Sequence, residues 1–137
     1  MAVEIPEEFI DLLQRPIVAA LSTLMPSLQP QTTPVWFSFD GDKIWINTAR
    51  NRQKDFNMME RPRVSILIID PRDPYRYMEV RGEVVEETEE GAVDHINQLS
   101  AAYRNKPDYY ATNPKKRETE TRVIYKIKPT HVVARNA

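Results

Sequence analysis

Apolar positions recur along the chain in short segments separated by polar or proline-bearing breaks, and most segments repeat every two residues. The first segment is an exception. Over residues 6–14, Phe9, Leu12 and Leu13 fall at helical spacing behind Pro6, which predicts a short amphipathic helix. Residues 17–23 form a continuous apolar run and predict a buried strand, followed by a turn over 25–30. Residues 33–39 alternate, with Val35, Phe37 and Phe39 on one face and Trp36 and Ser38 on the other, and predict a second strand. Asp40-Gly41 predicts a two-residue hairpin. The return strand covers 43–48, with Ile44 and Ile46 opposite Trp45 and Asn47.

The second half continues the meander. Residues 53–60 predict a short helix that buries Phe56 and Met59 and stops before Pro62. Residues 63–69 are a β-branched strand, and 70–74 a loop. Residues 76–85 predict a long strand with Met78, Val80, Gly82 and Val84 on one face and Glu79, Arg81 and Glu83 on the other. Thr88 is a candidate cap for a helix running to about Tyr103, with Val93, Ile96, Leu99 and Tyr103 inward. Residues 105–120 are polar and loop-like. A last strand covers 122–128, extended past Pro129 by residues 131–134. The expected fold is mainly β with a few helices, one domain over 1–137, with six antiparallel strands. Closing such a meander into a barrel removes its edges.

Composition narrows the chemistry. With 41% hydrophobic residues among 137, one domain can bury a core. No cysteine is present, which excludes disulfides, thiolate zinc and a cysteine nucleophile, and fits a cytoplasmic protein. No run approaches the roughly 18 apolar residues of a membrane span. Residues 1–8 carry acids and a proline rather than a secretion signal. A net charge of -1 argues against nucleic acid as a partner. Three dispersed glycines, Gly41, Gly82 and Gly91, cannot build a glycine-rich phosphate loop. His95 and His131 are too few for a three-histidine metal site, and neither has an evident serine partner. His95 reads as a surface residue of the long helix. Glu86, Glu87, Glu89 and Glu90 read as solvated acids, and Lys115-Lys116-Arg117 as part of a mixed solvent face.

One segment stands apart. Arg50, Arg52 and Lys54 place three cations within five residues, where a strand pattern ends and a helical pattern begins. Such a junction presents free N–H groups and a positive dipole end, suited to phosphate or carboxylate. A chain poor in catalytic side chains is still compatible with an enzyme whose cofactor carries the reaction. Arg52 and Lys54 are then candidate clamps, and Trp36, Trp45, Tyr75 and Tyr77 candidate walls of a flat slot. The alternatives are solubilising cations and core or interface aromatics.

The blocks Thr33-Pro34-Val35-Trp36-Phe37, Asp40-Gly41, Asn47-Thr48-Ala49, Arg52-x-Lys54-x-x-Asn57, Arg61-Pro62-Arg63-Val64 and residues 75–82 together resemble the pyridoxamine 5'-phosphate oxidase-like split β-barrel family. Within it the chain looks most like the flavin/deazaflavin oxidoreductase B branch, which uses the deazaflavin coenzyme F420. The resemblance covers residues 9–134. It implies a cytoplasmic homodimeric oxidoreductase with cofactor sites at the subunit interface and no catalytic side chain. Reduced F420 would be the hydride donor to a small conjugated substrate such as a quinone, an enone, a biliverdin-like tetrapyrrole or a xenobiotic. Arg52 and Lys54 would grip the phosphate, Asn47 and Thr48 line the site, and Asn57 support the turn. Val35, Trp36 and Phe37 would run beside the ring, while Arg76, Tyr77, Met78 and Glu79 would come from the partner. The chain departs from the family at Asn51, where a small residue is usual, and at Phe56, where a basic one is usual. The alternatives on the same fold are an FMN-dependent oxidase or reductase and a non-catalytic cofactor or haem binder.

Overall fold

A computed structural model describes residues 3–136. Met1, Ala2 and Ala137, which the readings of the N-terminus and of a domain over 1–137 include, lie outside the described residues. The strands are β1 (Ala19–Leu24), β2 (Pro30–Val35), β3 (Phe37–Phe39), β4 (Ile44–Ala49), β5 (Arg63–Ile69), β6 (Tyr77–Thr88) and β7 (Arg122–Arg135). The α-helices are α1 (Asp11–Gln14), α2 (Gln53–Glu60), α3 (Ala92–Arg104) and α4 (Pro114–Thr119).

All seven strands join one antiparallel sheet in the order β2-β1-β5-β6-β7-β4-β3. β2 and β3 stand at opposite ends of that order, yet only Trp36 separates them in sequence. The sheet therefore curls until its two ends come together at Trp36. This is why the count is seven and not the expected six. The strand expected over 33–39 breaks at Trp36, and its two halves pair with different neighbours, β1 and β4.

The concave face holds the core. Leu21, Ile44, Ile46, Ile66, Ile68, Met78, Val80, Val123, Tyr125 and Ile127 are each at most 1% exposed. Burial of side chains this size stabilises by about 1.5–3 kcal/mol each. Leu12 and Leu13 of α1 join the same cluster, so the apolar stripe expected there is buried. The helix itself is shorter than expected: a 3-10 turn over Glu7–Phe9 leads into one α-helical turn.

Several local expectations are corrected. The hairpin loop has four residues, 40–43, because the Asp40 carboxylate accepts the backbone N–H groups of Asp42 and Lys43. Phe56 and Met59 of α2 are exposed, while Asp55, Asn57 and Met58 point inward. Thr88 does not cap α3. Gly91 occupies that position with φ 76, a left-handed conformation that suits glycine. The segment over 105–120 contains α4, with Pro114 in its first turn. β7 passes Pro129 without ending, because the register against β6 shifts beside Gly82 and a ladder bond is not required of the proline.

The convex face is divided. α3 lies across β4 and β7 and buries Ala92, His95, Ile96, Leu99 and Ser100. Across β2, β1, β5 and β6 no helix of the described residues covers it, and Val18 before β1 and Ile69 at the end of β5 stay 55% and 42% exposed.

Candidate functional site

β4 ends at Ala49, and the chain then turns sharply through Asn51, whose φ is 72. Asp55 of α2 holds the turn. Its carboxylate accepts the Asn51 N–H at 3.0 Å and the Arg50 Nη1 at 3.0 Å, and the Tyr125 hydroxyl donates to it from the core. Arg50 also pairs with Glu87 at 2.7 Å and Glu89 at 2.8 Å. Two of the acids expected to be solvated therefore neutralise Arg50, one of the three cations clustered in this turn. Glu86 is likewise paired, with Lys126 at 3.0 Å.

Arg52 and Lys54 leave the turn in the other direction. They line a cleft of about 280 Å³ between the basic turn, the β2–β3 junction and α3. Val18, Pro34, Val35, Ile96 and Leu99 form its apolar walls; Trp36, Asn47, Tyr109 and Arg122 complete it. Lys54 has no carboxylate partner among the described residues, and burial together with the facing Arg52 and Arg122 lowers its pKa. The nearest acid to this group is Glu120, 3.6 Å from Arg52 and 3.0 Å from Arg122. Burial opposes its ionisation, yet the Tyr110 hydroxyl and Arg122 hold its pKa below the ordinary value. Three cations thus face one carboxylate, an excess that suits an anion.

Trp36 is firmly placed. It stacks on Tyr103 with centroids 5.3 Å apart, meets Tyr109 edge-on at 6.2 Å, and carries the Arg104 guanidinium 5.0 Å from its ring. The Tyr103 hydroxyl accepts the Phe37 N–H at 3.2 Å and donates to the Ile17 carbonyl at 2.9 Å. α3 is thereby pinned to the start of β3 and to the segment that leads into β1.

A larger trough of about 460 Å³ runs over the uncovered convex face between Ser22, Ser65 and Arg81. Its two cations are Arg81, which pairs with Glu79, and Arg63, and the acid Glu83 shares the same lining, so the excess of positive charge is smaller than in the cleft. Among the described residues no cluster of His, Cys, Asp or Glu could hold a metal, and no helix is long and apolar enough to cross a membrane.

The sequence model of pyridoxamine 5'-phosphate oxidase matches residues 5–136. The chain belongs to the pyridoxamine 5'-phosphate oxidase family. A solved structure named F420 reductase is 31% identical, with a TM-score of 0.81 over 94% of this chain and 98% of that one. A conserved hypothetical protein of Mycobacterium tuberculosis is 25% identical, with a TM-score of 0.73 over 98% of this chain and 86% of that one. General Stress Protein 26 of Bacillus anthracis shares the fold at 20% identity, with a TM-score of 0.67 over 93% and 91% of the two chains. Among curated proteins no sequence matches.

Within this family member, the residues expected at the site fall into three groups. Val35, Trp36, Asn47, Arg52 and Lys54 converge on the cleft. Phe37, Thr48, Asn57 and Met78 are buried at 3% exposure or less and line no part of it. Phe37 and Thr48 point into the core by strand alternation. Asn57 ties α2 to β1 and to its own helix, 3.0 Å from Thr23 Oγ1 and 2.9 Å from Gln53 Nε2. Arg76, Tyr77 and Glu79, expected from a partner subunit, lie away from this chain's own cleft. Arg76 is engaged by Asp11 at 2.6 Å and Asp70 at 2.9 Å, which leaves it a structural clamp for the N-terminal helix. Tyr77 and Glu79 line a depression on the uncovered face beside Ser65 and Leu67.

The other aromatic candidates do not reach the cleft. Trp45 packs against His95 and Lys126, and Tyr75 is 71% exposed in the loop before β6. His95 is a further correction: it is 3% exposed, not a surface residue. Asn47 Nδ2 donates to the Ala92 carbonyl at 2.8 Å, and Arg122 Nε donates to Asn47 Oδ1 at 2.8 Å, which fixes the amide's orientation. The second Nδ2 proton then points at His95 Nδ1, 3.1 Å away. Nδ1 must accept, so the ring proton sits on Nε2 and is donated to Ser38 Oγ at 2.9 Å. Burial, with Arg122 and Lys126 nearby, lowers the His95 pKa to about 4. Neither ring nitrogen is left for an axial bond to haem, and His131 is exposed on β7 away from the cleft. Sequence reasoning missed Tyr109 and Arg122, which enter the cleft from a loop and from the start of the last strand.

Proposed function

We propose that this protein is an oxidoreductase of the split β-barrel type that holds coenzyme F420 in the cleft, with reduced F420 as hydride donor to a small conjugated substrate. Quinones, enones, biliverdin-like tetrapyrroles and xenobiotics are the substrate class. The observation that carries the reading is the meeting, in one cleft, of the unpaired Lys54 and the loosely paired Arg52 with an apolar wall built on Val35, Ile96 and Leu99. One end suits a phosphate and the other a flat ring. The 31% identity to an F420 reductase over nearly the full length supports the choice of coenzyme.

The bound coenzyme would supply a two-electron hydride transfer. The chain supplies placement. Arg52 and Lys54 neutralise and orient the phosphate, Val35 and Trp36 border the ring, and the apolar wall excludes water. No side-chain nucleophile or metal is invoked.

FMN is the second reading, favoured by the match to the pyridoxamine 5'-phosphate oxidase model and by cations that serve a phosphomonoester as well as a diester. The proposed protein is a cytoplasmic homodimer. Support for the dimer is the uncovered convex face, where Val18 and Pro34 border both the cleft and a depression reaching Leu67 and Ile69. A partner seated there would wall the open side of the cleft.

Parallel titrations of the purified protein with F420 and FMN, followed by tryptophan quenching, test the reading. Tight, selective quenching by F420 is expected. Selective FMN binding would replace F420 by FMN with the same residues in the same places, and binding of neither would remove the oxidoreductase reading.

A further inference from the structure

Arg122 is 4% exposed, yet it lines the cleft. Its guanidinium is held on three sides. Nε donates to Asn47 Oδ1 at 2.8 Å, Nη1 donates to Glu120 Oε1 at 3.0 Å, and the group lies 5.3 Å from the centroid of the Tyr109 ring. Nη2 has no protein partner among the described residues. A buried arginine with one terminal nitrogen left over, facing a cleft already lined by Arg52 and Lys54, is a donor waiting for an acceptor.

What aims it lies one layer back. Asn47 meets Arg122 with its oxygen and spends both amide protons elsewhere, on the Ala92 carbonyl and on His95 Nδ1. His95 is in turn fixed by Ser38 on β3. The chain Ser38–His95–Asn47–Arg122 therefore runs from the β3–β4 hairpin beneath α3 to the floor of the cleft. Asn47 and both ring nitrogens of His95 are fully engaged in it, and Nη2 of Arg122 is left without a protein partner among the described residues. A surface ion pair would not need such support, because an exposed side chain gains little from being held in one geometry.

We propose that Arg122 is a third phosphate-binding residue of the cleft and that His95 is its positioning residue, acting through Asn47. The proposal rests on the reading of the cleft as a site for a phosphate-bearing ligand. It adds a cation from the last strand, about 70 positions beyond the basic turn in sequence, and gives the buried histidine a task in recognition. Arg52 and Lys54 then approach the phosphate from the turn while Arg122 approaches from the floor.

The test is ligand affinity, measured by tryptophan quenching with F420 and with FMN on the full chain. Arg122→Met is expected to weaken the better-bound probe at least tenfold. His95→Leu leaves Asn47 without one of its two acceptors and is expected to weaken the better-bound probe three- to tenfold. His95→Asn, whose side-chain oxygen can stand near the place of Nδ1, is expected to return affinity to within twofold. In the Arg122→Met background, His95→Leu should add less than twofold, because its effect passes through the arginine. If Arg122→Met does not fold, Arg122→Lys serves. Lysine keeps the charge but cannot reach Asn47, Glu120 and the ligand at once, so a loss is again expected and wild-type affinity would overturn the assignment. Equal losses in His95→Leu and His95→Asn, or a full additional loss in the double variant, would reduce His95 to a packing residue. Unchanged affinity in Arg122→Met, with Lys54→Ala weakened, would remove Arg122 alone. Unchanged affinity in both would remove the phosphate site itself.

Discussion

Arg50 and Arg52 stand two residues apart in one turn and point to opposite tasks. Arg50 is enclosed by Asp55, Glu87 and Glu89 at 2.7–3.0 Å, whereas Arg52 extends into the cleft with only a 3.6 Å contact to Glu120. The first holds the turn and the second is free to meet a ligand. Arg50→Met would leave the buried Asp55 carboxylate short of its cation. A loss of about 2–3 kcal/mol is expected, at or below the lower end for broken buried pairs because Arg50 is partly solvated. Arg52→Met should leave stability within about 0.5 kcal/mol of wild type. Urea denaturation of both variants checks the contrast, and equal midpoints would contradict it.

Lys54 makes no ion pair, so its removal should not disturb the fold. Lys54→Ala is expected to weaken F420 or FMN at least tenfold, about 1.4 kcal/mol, with an unchanged melting curve. Affinity should also depend on alkaline pH. In the free protein the Lys54 pKa is lowered by burial and by Arg52 and Arg122, and a bound phosphate raises it again. Binding is therefore strongest below the free value. It declines once pH passes that value, where a proton must be taken up, and levels off above the bound value. A titration series from neutral to alkaline pH should show this decline in wild type and lose it in Lys54→Ala.

His95 gives the opposite sign. Its pKa is near 6.5 in an unfolded chain and about 4 in the fold, where burial and the neighbouring Arg122 and Lys126 disfavour the charge. Between those values the unfolded chain binds more protons, so this contribution to stability is complete above pH 6.5 and is lost as pH falls toward 4. The total loss is about 3 kcal/mol. The Nε2–H form should persist in imidazole NMR spectra down to about pH 5. Titration of His95 near 6.5 would show that the ring is solvated and that the Ser38–His95–Asn47 contacts are not held in solution.

The strands were legible because their alternation is local. Val35, Phe37, Ile44, Ile46, Met78 and Val80 all sit on the face that their period assigns. The misreadings of α2 and of His95 share one cause. On α2 two of the three inward positions are the polar Asp55 and Asn57, satisfied by Tyr125 from β7 and Thr23 from β1, while Phe56 and Met59 face out. A hydrophobic pattern cannot show a polar residue whose partner is distant in sequence. His95 is the same case. It shares a helix face with Ala92, Ile96 and Leu99, so its burial was readable from spacing, but its partners Ser38 and Asn47 were not. The cleft was half legible. Arg52 and Lys54 announce themselves as a cluster, whereas Tyr109 and Arg122 are isolated in sequence and are brought to the cleft only by the curl of the sheet.

Gly82 tests that curl. It lies at the register shift between β6 and β7, and a Cβ there would stand 2.6 Å from Ile127 Cγ2 and 2.8 Å from the Lys128 carbonyl oxygen. Backbone cannot yield as a flexible side-chain end can, so Gly82→Ala is expected to destabilise by about 1–3 kcal/mol. The Gly41 position has open space around it. Its φ of 95 still disfavours alanine, but in an exposed hairpin remote from the core. Thermal melts of the two variants should place Gly82→Ala lower, and the reverse order would contradict the close approach of the two strands.

The proposed dimer yields a prediction that separates assembly from folding. Leu67 points outward from β5 onto the uncovered face, in the same depressions as Val18, Pro34 and Tyr77. Its neighbours Ile66 and Ile68 point inward and are fully buried. Leu67→Asp therefore places a charge where a second copy would sit, without entering the core. If two copies pack these faces together, the charge meets its own symmetry mate or an apolar surface, and either is unfavourable. Light scattering at micromolar concentration should give a dimer for wild type and a monomer for Leu67→Asp, with secondary structure retained. Because Val18 and Pro34 border both this face and the cleft, the monomer should also bind F420 or FMN more weakly, although Leu67 does not line the cleft. A wild-type monomer would remove the shared-site arrangement. A variant that remains dimeric with unchanged affinity would move the interface to another surface and leave the cleft complete within one chain.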